Sequence, residues 1–147
     1  MIQRIQTVYL LLVAVLMTVS VFCPLLSFKD NFIATGAGVF FEGNNQFPTW
    51  GVLTIGLLTS VLAFINIFLY KKRKVQVSVC YIITFLIAAF YATFYVYMNS
   101  GMQKNNWEMD SYQPCLVLPV VAFILNILAI IKIKKDEKLV RSLDRIR

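Results

Sequence analysis

The sequence predicts an all-α membrane protein: a four-helix transmembrane bundle with a small β-hairpin-like loop on its outer side and an amphipathic C-terminal helix on its cytoplasmic side. Three observations predict it. Four apolar runs, at about 8–26, 50–70, 75–97 and 115–131, each approach the roughly 20 residues that cross a roughly 30 Å hydrocarbon layer. None of the runs carries a charged side chain. The positive charge is confined to alternate polar segments: Arg4, Lys71-Lys72-Arg73-Lys74 and a C-terminal stretch from Lys132 to Arg147 hold all the Lys and Arg except Lys29 and Lys104. In lipid every backbone polar group must be satisfied internally, so such runs joined by short turns form helices. Positive charge is retained in cytoplasmic loops, which puts both termini on the cytoplasmic side. The chain reads as one domain over 1–147, with 132–147 as a cytoplasmic amphipathic tail.

The first run is longer than a usual signal-peptide core and ends in Val21-Phe22-Cys23-Pro24, where a cleavage site wants small residues, so it reads as a retained signal anchor. The outer segment that follows places Phe32 to Thr35 and Val39 to Glu42 on either side of Gly36-Ala37-Gly38, the format of a short hairpin. An isolated hairpin is marginal in water. Phe32, Phe40 and Phe41 are therefore expected to rest on the bundle rim, on lipid or on another protein. Between the second and third runs only Lys71 to Lys74 intervene, which makes those helices antiparallel neighbours. Ala14 with Thr18, Gly56 with Ser60 and Ala88 with Ala92 are small residues at four-residue spacing, the pattern that lets membrane helices approach closely.

The third run carries Tyr81, Phe85, Phe90, Tyr91, Phe94, Tyr95 and Tyr97, and the outer boundaries carry Trp50, Trp107 and Tyr112. This suits an interfacial aromatic belt with core packing, or else an aromatic groove for a lipid or a partner helix. The second and fourth runs echo one another near their cytoplasmic ends, in Ala63-Phe64-Ile65-Asn66-Ile67 and Ala122-Phe123-Ile124-Leu125-Asn126-Ile127. Asn66 and Asn126 are the conspicuous polar side chains at depth. They form a candidate intramembrane pair, or line a polar path. Past the fourth run, Leu139, Val140, Leu143 and Ile146 share a helical stripe suited to a membrane surface or a cytoplasmic partner.

Little in the chain points to catalysis. It has no histidine, the commonest general base and a frequent metal ligand. Its acidic residues lack metal-ligand spacing, and it has neither a phosphate-binding glycine loop nor a nucleophile elbow. No catalytic, metal or cofactor site is expected. The net charge of +7 follows from topology rather than from nucleic-acid binding. Of three cysteines, Cys23 and Cys115 lie near the outer ends of their runs and are able to meet, whereas Cys80 lies toward the cytoplasmic side. Geometry decides whether a bridge forms.

The opening Met1-Ile2-Gln3-Arg4-Ile5-Gln6-Thr7 and the ending Asp136-Glu137-Lys138-Leu139-Val140-Arg141-Ser142-Leu143-Asp144-Arg145-Ile146-Arg147 resemble the two ends of an uncharacterised four-span inner-membrane family of Bacteroidota, a domain of unknown function. The resemblance covers the chain in length and span layout. It implies a bacterial inner membrane and a periplasmic outer side, and it supplies no reaction or ligand. It also draws Gln3, Arg4 and Gln6 together with Leu139, Leu143 and Ile146 as a candidate partner surface, beside the outer Phe32, Phe40 and Phe41. The expected role is a non-enzymatic accessory or scaffold subunit of a larger membrane complex, in contact with membrane lipids and a membrane-protein partner. The alternatives are a small transporter or channel, and a lipid-binding membrane protein.

Overall fold

The computed structural model describes residues 5–29, 32–41, 44–105 and 107–144. Four helices run up and down: α1 (Ile5–Phe22), α2 (Trp50–Phe68), α3 (Arg73–Asn105) and α4 (Leu118–Asp144). Helix α1 packs on α2 and α4, and α3 packs on the same two from the opposite corner. Among the described residues, Ile5–Phe22, Trp50–Phe68, Arg73–Lys104 and Pro114–Lys138 are long and apolar enough to cross a membrane. The faces turned away from the bundle are apolar as well. Phe64, Phe68, Phe85, Val96 and Val120 are all exposed, as lipid-facing positions should be.

Helix boundaries follow local chemistry. Pro24 has no N–H to donate and disfavours helix in the residue before it, so α1 ends at Phe22 and not at the end of its apolar run. The last bond of this helix runs from Cys23 N to Val19 O, 2.9 Å. Between α2 and α3 a short 3₁₀ turn over Leu69–Lys71, ended by the non-helical Lys72, reverses the chain. With 33 residues, α3 is roughly 50 Å long at 1.5 Å per residue, well beyond a roughly 30 Å hydrocarbon layer. Its final turns therefore reach past the end of such a layer, with Met102 still packed on the core, and carry the structure outside the helices.

That outer structure is a five-stranded antiparallel sheet. Strands β1 (Leu26–Phe28), β2 (Ile33–Ala34), β3 (Gly38–Phe41) and β4 (Asn44–Pro48) come from the connection between α1 and α2, and β5 (Met109–Tyr112) from that between α3 and α4. Their spatial order is β4-β3-β2-β1-β5. The expected hairpin is present as β2 and β3, with Ile33 opposite Phe40 and Ala34 opposite Val39. It is only the centre of a larger sheet, because β1 takes β5 as its second partner.

The C-terminal segment corrects the expected fold. It is no separate cytoplasmic amphipathic helix: α4 is continuous from Leu118 to Asp144, and the membrane-spanning stretch itself runs from Pro114 to Lys138. No Gly or Pro interrupts the chain after Ile131, and Lys is a good helix former whose stem covers apolar surface while its charge reaches outward. Ile133, beyond the first of these lysines, is fully buried with Leu10, Cys80, Ala129 and Ile130. Arg73 Nη1 donates to Asp136 O at 3.0 Å, fastening the segment to the start of α3.

Candidate functional site

Two regions concentrate chemistry, one at each end of the bundle. At the basic end each helix contributes one buried carboxamide: Gln6 from α1, Asn66 from α2, Gln76 from α3 and Asn126 from α4. Asn66 and Asn126 do not bond to each other, contrary to the pairing expected from sequence. Both turn onto α3. Asn126 Nδ2 donates to Cys80 O at 2.8 Å and Thr84 Oγ1 at 2.9 Å. Asn66 Nδ2 donates to Gln76 O at 3.2 Å and Cys80 Sγ at 3.1 Å, and Gln76 Nε2 returns a bond to Asn66 O at 3.2 Å.

These bonds fix the amides' orientation, since a flipped Asn126 would set its oxygen against a carbonyl. They leave Asn66 Oδ1, Gln76 Oε1, Asn126 Oδ1 and both amide atoms of Gln6 without a hydrogen-bond partner. Each such buried atom costs about 1–3 kcal/mol. Toward the sheet the polar cluster gives way to Val13, Met17, Ile83, Ile87 and Phe90, all essentially inaccessible. Gln76, Cys80 and Thr84 are the partners that sequence reading missed. Their spacing of four residues along one face of α3 was the available signal.

The sheet end is built around Trp107. Its ring lies 5.5 Å from Phe28, 5.3 Å from Phe32 and 6.1 Å from Phe47, and it rests on Gly101, where an added Cβ would meet the indole at 3.1 Å. Phe32 in turn lies 4.7 Å from Phe41. The tip of the β2–β3 hairpin faces the bundle: a Cβ on Gly36 would stand 3.0 Å from the backbone of Val21, and Thr49 Oγ1 donates to Gly36 O at 2.9 Å. At the far margin Lys29 pairs with Glu108, holding its carboxyl below the usual carboxylate range through the hydrogen bond first and the charge second.

Below the sheet a lateral groove of about 300 Å³ opens between α3, strands β1 and β5 and the 3₁₀ turn Pro114–Val117, lined by Tyr91, Tyr95, Met98, Met102, Met109 and Tyr112 among others. It lies against the outer half of the aromatic series on α3. Tyr91 Oη donates to Leu116 O and closes its lower end.

Of the remaining sequence candidates, Phe32, Phe40 and Phe41 are half-buried in the sheet, and Gln6 is buried inside the bundle rather than on a surface. Gln3, Arg4 and Ile146 lie outside the described residues. Leu139 and Leu143 lie on α4, with side chains outside the described set. Among the described residues, no three or more His, Cys, Asp or Glu are gathered where a metal ion would bind.

The family described as Domain of unknown function (DUF4293) matches residues 2–146. The chain belongs to the DUF4293 family. The match takes in all four spans, the whole sheet and both terminal motifs. No curated protein and no solved structure matches the chain. For this DUF4293 protein, then, the chemistry of both ends is read from its own residues.

Proposed function

We propose that this DUF4293 protein is a non-enzymatic accessory or scaffold subunit of a larger complex in a bacterial inner membrane, with both termini cytoplasmic and the sheet in the periplasm. The observation that carries the reading is the joining of two connections, far apart in sequence, into one sheet braced by Trp107 against α3. Connections that only linked helices would need neither five strands nor an aromatic hub. A rigid platform with exposed Ile33 and Tyr112 suits recognition of another protein. The apolar packing between the carboxamides and the sheet argues against a solute path through the bundle. The basic residues gathered at the opposite end support the orientation, and the terminal motifs support a host among the Bacteroidota.

The test is purification from native membranes in mild detergent, with a photo-crosslinking residue at Ile33 or Tyr112 and mass spectrometry of the products. A reproducible membrane-protein companion, crosslinked from the sheet and absent when the probe sits at lipid-facing Val61, is expected. A companion-free protein would sink the accessory reading. A second reading, lipid binding, is favoured by the lateral groove against the α3 aromatics. Its mark would be a stoichiometric co-purified lipid lost when Met98 is replaced by Trp.

A further inference from the structure

The pairing of β1 with β5 brings two cysteines of distant parts of the chain together. Leu26 stands opposite Tyr112 and Ser27 opposite Ser111. The ladder continues one step beyond the strands, since Gln113 N donates to Leu25 O at 3.1 Å. Beyond that bond stand Pro24 and Pro114, and next to them Cys23, which closes the last turn of α1, and Cys115, in the 3₁₀ turn Pro114–Val117 that leads into α4. The two prolines offer no N–H, so the ladder of backbone bonds stops there. The Cys115 thiol lies within interaction distance of the Cys23 thiol. Both are half-exposed free thiols at the sheet end, whereas Cys80 is buried in the carboxamide cluster at the other.

We propose that Cys23 and Cys115 form a disulfide in the cell, joining the exit of α1 to the entry of α4 beneath the sheet. The inference rests on the orientation proposed above, which exposes this end to an oxidising compartment. The co-reactant is an oxidised thiol–disulfide oxidoreductase of that compartment. One chain thiolate attacks a sulfur of the carrier's disulfide, forming a mixed disulfide and releasing one carrier thiolate. The second chain thiolate attacks the chain sulfur of that mixed disulfide, forming the Cys23–Cys115 bond and expelling the other carrier sulfur. Two electrons pass to the carrier, and its two sulfurs take up the two protons that the cysteines lose. The bridge closes a loop containing β1 to β5, α2 and α3. It reduces the freedom of the unfolded chain most where the native contact is most distant in sequence.

The test traps thiols by acid quenching of cells, followed by denaturation and labelling with a mass-tagged maleimide. The expected result is one label, on Cys80, without reductant and three after reduction. Cys23→Ser or Cys115→Ser should each expose the orphaned partner and give two labels without reductant. Three labels on the unreduced wild-type chain would overturn the proposal, as would a reducible link between two copies. Purified, reduced protein in mild detergent is then treated with oxidised glutathione, which separates the two ways of failing. A bridge that forms there but not in the cell would place the fault in the orientation. No bridge under either condition would place it in the approach of the two segments.

Discussion

Gly56 is the tightest point between α2 and its neighbours. A Cβ there would sit 2.3 Å from Val21 Cγ2 and 3.1 Å from the Phe90 ring, and Val21 is fully buried and stiff about χ1. Gly56→Ala gains up to about 1 kcal/mol in helix propensity but overfills a core where each added methyl costs about 1–3 kcal/mol. A net loss of about 1–2 kcal/mol is expected in reversible detergent unfolding, with partial recovery when Val21→Ala is added. Asn126 is the corresponding polar case. Asn126→Ala removes two donated bonds and should cost about 1–2 kcal/mol, given what interhelical hydrogen bonds are worth in membranes. Its effect should be non-additive with Thr84→Ala, because the two side chains share one bond. Small residues were legible as packing sites only where a neighbour exists. Thr18 and Ser60 do join α1 to α2, their hydroxyls 2.6 Å apart, but Ala88 and Ala92 face outward. Sequence spacing names a stripe on a helix without saying which way it faces.

At the scale of elements, the sheet depends on a single indole. Trp107 touches Phe28 of β1, Phe32 just before β2 and Phe47 of β4, so one side chain couples three parts of the platform. Trp107→Ala should cost about 3 kcal/mol, the lower end of the range for core aromatics because the ring is half-buried. Limited proteolysis should then cut both outer connections while the four spans stay protected. The margin of the sheet responds to acid. The Glu108 carboxyl has a folded pKa depressed by Lys29, so its contribution is present above the ordinary glutamate range and fades as pH falls through the folded value. Glu108→Gln should abolish that acid dependence in an NMR titration of sheet amides, leaving the helices unaffected. The hairpin was legible because Gly36-Ala37-Gly38 is local turn chemistry, whereas β5 was not. The four residues of β5, Met109–Tyr112, carry little signal of their own and become a strand only through Leu26–Phe28. The C-terminal segment misled for the opposite reason: a strong amphipathic stripe suggested an independent helix, but no breaker separates it from α4.

At the scale of the whole molecule, the feature most legible in sequence is the one least dependent on packing. Among the described residues, nine Lys and Arg lie toward the helix ends remote from the sheet against Lys29 and Lys104 near it, and so large an imbalance outweighs any single loop. The bundle explains how they are accommodated. Lys134 Nζ reaches Tyr81 Oη at 2.7 Å and lies 5.2 Å from its ring centre, so the cation has a hydroxyl and an aromatic face as partners. If this end is cytoplasmic, single cysteines at Lys72 or Ser142, in a chain whose own cysteines are serine, should resist an impermeant maleimide in intact cells. They should react once the membrane is opened. Cysteines at Ile33 or Tyr112 should react in both conditions, because those positions stand exposed on the sheet. The reverse pattern would invert the molecule and move the Trp107 platform into the cytoplasm. It would also remove the oxidising surroundings that the Cys23–Cys115 bond requires. Orientation therefore decides which compartment the sheet faces, and with it whether the proposed bond and the proposed docking of the sheet share one compartment.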